Sequence, residues 1–146
     1  MNPLLVKLGV TAAALATGGG FAVLSPASSA VAYSSPPLFL DISVQSPANL
    51  VARGAAISVP VIVTCNSDGA YVYLRVSEKV GKKVASGNIG TSVGCTGGHQ
   101  TFLLTVPASS GPAFAKGSAY VAAEVDGCTA NFICGTETGS ATIKIK

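Results

Sequence analysis

Ala56-Ile57-Ser58-Val59-Pro60-Val61-Ile62-Val63-Thr64-Cys65 decides the fold class. Ile57, Val59, Val61, Val63 and Cys65 fall on one side of an extended chain, and Ala56, Ser58, Pro60, Ile62 and Thr64 fall on the other. Strict period-two alternation among β-branched residues is the pattern of a strand with one buried face. Pro60 lacks the N–H that a ladder needs, which predicts an edge or a bulge at that point.

The same pattern recurs outward from this strand. Asn66-Ser67-Asp68-Gly69 is a turn. Ala70 to Val80 then alternates Val72, Leu74 and Val76 inward against Tyr71, Tyr73, Arg75 and Ser77 outward. Gly81 punctuates a hairpin into Lys82–Ser86, followed by a loose Gly-rich stretch to Gly94. Gln100–Val106 places Phe102, Leu104 and Val106 on one face, and Pro107–Gly117 is a long connection. Ser118–Asp126 alternates Ala119, Val121, Ala123 and Val125 inward against Tyr120, Ala122, Glu124 and Asp126. Thr136–Lys146 closes the chain with Ala141, Ile143 and Ile145 facing in. With Leu38–Gln45 as a first strand, the expectation is an all-β, immunoglobulin-like two-sheet antiparallel sandwich of about seven strands. The Trp of true immunoglobulin cores is absent.

Upstream of residue 38 the composition changes. Lys7 is the only charge before Asp41, Leu8–Leu24 is apolar, and Ala30-Val31-Ala32 fits the small-residue requirement of signal peptidase. The expected organisation is therefore a signal-peptide helix over 1–32 cleaved before Tyr33, a flexible arm over 33–37, and a sandwich over 38–146. A retained membrane anchor is disfavoured by the short apolar run and its Gly18-Gly19-Gly20 break. The mature chain is expected to be secreted, with no membrane association after cleavage.

Four cysteines beyond the cleavage site fit an oxidising compartment. Zinc is disfavoured because Cys65, Cys95, Cys128 and Cys134 contain no C-x-x-C pair, and the lone His99 lies in Gly97-Gly98-His99. In a Greek-key sandwich the end of the second strand, the start of the fifth and the turn between the last two share one pole. That neighbourhood favours Cys65–Cys95 and Cys128–Cys134. Loop entropy assigns them roughly 3.5 and roughly 2.5 kcal/mol.

Val63-Thr64-Cys65, Val80-Gly81-Lys82-Lys83-Val84-Ala85-Ser86-Gly87, and Cys95-Thr96-Gly97 with Gln100-Thr101-Phe102 resemble a group of small secreted β-sandwich proteins of unknown function. That group belongs to high-GC Gram-positive bacteria, and the likeness runs from about Val59 to Lys146. It implies export, a sandwich and two disulfides, and no activity. A second likeness is to the enediyne-binding apoproteins of the same bacteria, secreted sandwiches in which one of two disulfides closes a short loop, as Cys128-x5-Cys134 would. Cys65 and Cys95 depart from that family's short first loop, and no ligand-contact residue matches.

The residues carry little catalytic chemistry. His99 has no G-x-S-x-G partner, and the six acids are scattered. Asn66-x-Asp68 is not continued at calcium-ligand spacing, and Gly87–Gly98 lacks the Lys-Ser/Thr of a phosphate loop. The chain is expected not to be an enzyme and to need no cofactor or metal. The cations are spread along the sequence rather than clustered among aromatics, which argues against nucleic acid as partner.

Two function classes remain. One is a structural or interaction module presenting loops or a sheet face to a macromolecule, for which an exposed Tyr71-Tyr73-Tyr120 stripe would speak. The other is a carrier with an apolar cleft at the disulfide pole, lined by Phe102, Phe114 or Phe132. Phe132 and Ile133 are the best candidate contact residues: two adjacent apolar side chains in a disulfide-closed tip are costly unless covered. The competing reading is that they fold back to cap the core.

Overall fold

The computed structural model describes residues 36–146. The signal-peptide helix over 1–32 and most of the arm over 33–37 lie outside the described residues. Eight strands follow: β1 (Leu40–Val44), β2 (Asn49–Val51), β3 (Ala56–Cys65), β4 (Ala70–Val80), β5 (Lys83–Val93), β6 (His99–Ser110), β7 (Gly117–Cys128) and β8 (Cys134–Ile145).

All strand pairs are antiparallel, and the hydrogen-bonded path runs β1-β3-β6-β5-β4-β7-β8 with β2 beside β3. The expected all-β class is met. The strands, however, form one continuous sheet curled nearly into a barrel, where two separately bonded sheets were expected. β6 makes the difference. It pairs with β3 along Pro107–His99, then crosses to meet β5 at Ser86↔Ser110 and Gly87↔Ala108 through a bulge. At the other margin the chain after β1 meets the end of β8 in a parallel bridge, Ala48↔Ile145. There Ala48 N–H donates to Lys144 O at 2.8 Å and Lys146 N–H to Ala48 O at 3.0 Å.

The inward residues read from the alternation fill the interior. Ile57, Val59, Val61, Val63, Val72, Leu74, Val76, Val121 and Val125 are all fully buried. Burial of one such aliphatic side chain contributes about 1.5–3 kcal/mol, so this set, β-branched but for Leu74, is the main source of cohesion.

Three local expectations are revised. Pro60 lies on a strand flanked by β6 on one side and by β1 and β2 on the other. The edge or bulge expected there is met only as a local break, where the β1 ladder stops at Val61 and the β2 ladder at Ser58. The Pro60 carbonyl accepts from Gln45 N–H at 2.8 Å. In an antiparallel strand the N–H and C=O of one residue point the same way, so the missing donor faces the gap between β1 and β2. The Gly-rich stretch to Gly94 is not loose, since β5 pairs with β4 without interruption from Val80↔Lys83 to Ala70↔Val93. The connection after Pro107 is short, because β6 continues to Ser110 and β7 begins at Gly117.

Both disulfides form as the neighbour argument requires, Cys65–Cys95 and Cys128–Cys134, and they mark one pole. The opposite pole carries the start of β3, the β4–β5 hairpin, the β6–β7 loop and the end of β8.

Candidate functional site

The four strands β5, β4, β7 and β8 turn one face outward, and their register fixes what stands beside what. Arg75 lies opposite Asn88 and Ala122, and Ala122 lies opposite Ser140. One row toward the disulfide pole, Tyr73 faces Gly90 and Glu124, and Glu124 faces Thr138. On the other side Tyr120 faces Ser77 and Thr142. Ala122 is far smaller than the Tyr73, Arg75, Tyr120 and Glu124 side chains around it, and the space over Gly90 is filled by Tyr71, so the face sinks at Ala122. The result is an open groove of about 330 Å³ lined by Tyr73, Arg75, Tyr120, Ala122, Glu124 and Ser140, among others.

The groove is amphipathic. Tyr73 and Tyr120 supply ring faces, and the Arg75 guanidinium carbon sits 5.9 Å from the Tyr73 ring centre. That distance is within cation–π range, so the Arg75 donors are held beside the groove. Tyr71 continues the stripe toward the disulfide pole, half exposed. Its hydroxyl occupies the space over Gly90, where a Cβ would stand only 2.0 Å from that oxygen. Gly90 thus lets the ring lie flat across β5, a signal the sequence carried without naming its partner.

A second, shallower hollow of about 400 Å³ lies at the disulfide-pole end of the face, beside Tyr71, Val93, Gly127 and Cys128. The aromatics that would have lined an apolar cleft there are dispersed. Phe114 is buried in the β6–β7 loop at the opposite pole, where its N–H donates to Gly54 O, and Phe102 is half-buried on β6.

Phe132 and Ile133 stand at the tip of the β7–β8 hairpin. Thr129 N–H donates to Ile133 O and Phe132 N–H to Thr129 O, both at 2.9 Å, so the loop is ordered from within. Phe132 is 91% exposed and Ile133 54%. Neither side chain caps the core.

The disulfide pole is otherwise a bonded network. Asn66 Oδ1 accepts from Phe39 N–H, Asn66 Nδ2 donates to Pro37 O, and Ser67 Oγ lies 3.1 Å from Cys95 Sγ. His99 opens β6, its Nδ1 2.7 Å from Thr64 Oγ1. Among the described residues no three His, Cys, Asp or Glu side chains come together as a metal site.

The cations, dispersed in sequence, are gathered in space. Arg53, Lys79, Lys82, Lys83, Lys116, Lys144 and Lys146 all belong to the pole opposite the disulfides, and all are exposed. Sequence order hid this because they come from separate segments that the antiparallel topology returns to one end. No protein-family model matches the sequence, and no curated protein does either.

Proposed function

We propose that this chain is a secreted, disulfide-stapled interaction module that engages a partner through the outer face of β5-β4-β7-β8. The groove over Ala122 carries the reading, because it joins two aromatic walls to a positioned guanidinium and a carboxylate. Contact sites of this kind use Tyr and Arg as anchors, with small hydroxyl residues adapting around them. Thr138, Ser140 and Thr142 supply those hydroxyls along β8. Two disulfides in an all-β domain fit an extracytoplasmic address. The orders β1-β3-β6 and β5-β4-β7-β8 on the two sides of the core support an immunoglobulin-like arrangement. The likeness to small exported sandwich proteins of high-GC Gram-positive bacteria agrees with the same picture.

A benzophenone photo-crosslinker placed at Ser140, compared with one at Thr101 on β6, tests the reading in the secreting host. A discrete adduct is expected from Ser140 alone, and Tyr73→Ala with Tyr120→Ala should abolish it. Equal adducts from both positions, or none from Ser140, would remove the groove as the contact site. The hollow beside Tyr71 keeps a small apolar ligand as a second reading, and native mass spectrometry of the protein from its own host reports any such retained molecule.

A further inference from the structure

Seven of the eight Lys and Arg residues among those described ring one end of the molecule, and five of the six acids lie elsewhere. The register makes the partition explicit. Lys79 closes β4 beside Val84, Lys82 and Lys83 form the hairpin tip, and Lys116 enters β7. Lys144 pairs with Ser118 and donates to its hydroxyl at 3.0 Å. Arg53 sits in the turn before β3, and Lys146 bonds the backbone of Ala48 and Leu50. The one acid at this pole, Glu78, is buried and accepts from Ala115 N–H at 2.9 Å, so its carboxylate is turned away from the surface. Asp41, Asp68, Glu124, Asp126 and Glu137 lie in the middle or toward the disulfides. β3, with ten residues, spans roughly 35 Å between the poles, several times the Debye length in physiological salt. The basic end therefore acts as an independent positive field.

What surrounds these cations selects the occupant. The exposed residues between them include Val51, Ala52, Ala55, Val84 and Ala113, small or apolar and cheap to desolvate. The cations come from four separate segments that the topology returns to one end, rather than from one groove. A linear polymer would meet a few of them, whereas a flat anionic surface meets them together. We infer that this pole docks the protein on an anionic phospholipid surface, as a peripheral contact of lysines with phosphate headgroups seated by Val51 and Val84. Each Lys or Arg near such a surface contributes about 1 kcal/mol, so the ring is ample for reversible attachment. The site lies apart from the Ala122 groove, which stays free for a partner when the basic end is down.

Vesicle co-sedimentation tests this with the protein purified from the medium of a secreting host. The probes are phosphatidylcholine vesicles with and without about a third phosphatidylglycerol. Binding is expected only with phosphatidylglycerol. It should fall steeply between about 0.01 M and about 1 M salt, as the Debye length shrinks from about 30 Å to about 3 Å. Lys82→Gln with Lys83→Gln should weaken it about thirty-fold, with the melting temperature unchanged because both side chains are exposed. Phe132→Ser, at the other pole, should leave it intact. Equal binding to both vesicle types, binding indifferent to the lysine pair, or loss on Phe132→Ser would overturn the inference. Binding to soluble polyphosphate or duplex DNA without vesicle binding would also overturn it and reassign the pole to a free polyanion. Salt-sensitive self-association without vesicle binding would mean that the basic end meets the acidic end of a second copy.

Discussion

Phe132 holds a left-handed backbone position, φ 59°, at the tip of a loop closed by its own disulfide. A bulky residue there is unusual, and the ring gains no burial in return. Phe132→Ser is therefore expected to move unfolding free energy by less than about 0.5 kcal/mol. Phe114→Ala, which empties a buried site, should cost about 3–5 kcal/mol. Urea unfolding of the two variants separates them, and a comparable loss in both would place the Phe132 ring in the core. Gly54 offers a sharper test. Its φ of +89° disfavours any side chain, and an added Cβ would meet Phe114 O at 2.0 Å. The backbone conformation alone costs a non-glycine residue about 1–3 kcal/mol, so Gly54→Ala should lower the melting midpoint well beyond the shift from Ala55→Gly next to it. At this scale the sequence announced which side chains were odd. It could not say which way Phe132 turned, because an apolar residue beside a turn satisfies both capping and exposure.

Pairing between elements decided what local composition left open. The interior faces of β3, β4 and β7 were legible because alternation of Val and Ile admits only one inward set. β5 was not, since Gly87, Asn88 and Gly90 weaken strand propensity and only the ladder to β4 shows that the strand continues. The extension of β6 was hidden for the same reason: Pro107 reads as a stop until its partner Ala56 is known. Pro60 looked like an edge residue because the sequence cannot show a flank that changes strand midway. The two staples act at this scale as well. Cys65–Cys95 closes a separation of 30 residues and ties the end of β3 to the β5–β6 connection. Cys128–Cys134 closes a separation of 6 in a hairpin already paired down its length. Replacing the first pair by Ala should cost about 3.5 kcal/mol and the second about 2.5, measured by the shift in urea midpoint at constant slope. The reverse order would show that the tip disulfide holds β8 in place.

The curled sheet is thinly joined at two places, and they differ. At one, Ala48 and Lys146 bridge the segment after β1 to the end of β8. At the other, β5 and β6 meet only near Gly87 and Ala108. From there Asn88–Val93 has β4 alone as partner, and His99–Val106 has β3 alone. Half the backbone groups on each flank of this seam point away from any ladder, and such groups bond to water and open most easily. Amide hydrogen exchange should accordingly rank the molecule from the inside out. The slowest amides are expected in β3, β4 and β7, which are flanked on both sides. The seam-facing amides of Asn88–Val93 should exchange earlier than those of these three strands, although Tyr71 packs across the outer face of β5 there. The β4-facing amides of the same strand should stay protected, so protection ought to alternate along β5 with a period of two. Uniform protection from Asn88 to Val93 would mean that β5 and β6 zip together in solution and the barrel is fully closed. The seam would then be unable to accept an added strand, whereas an alternating pattern leaves it a long unpaired edge beside the tyrosine stripe.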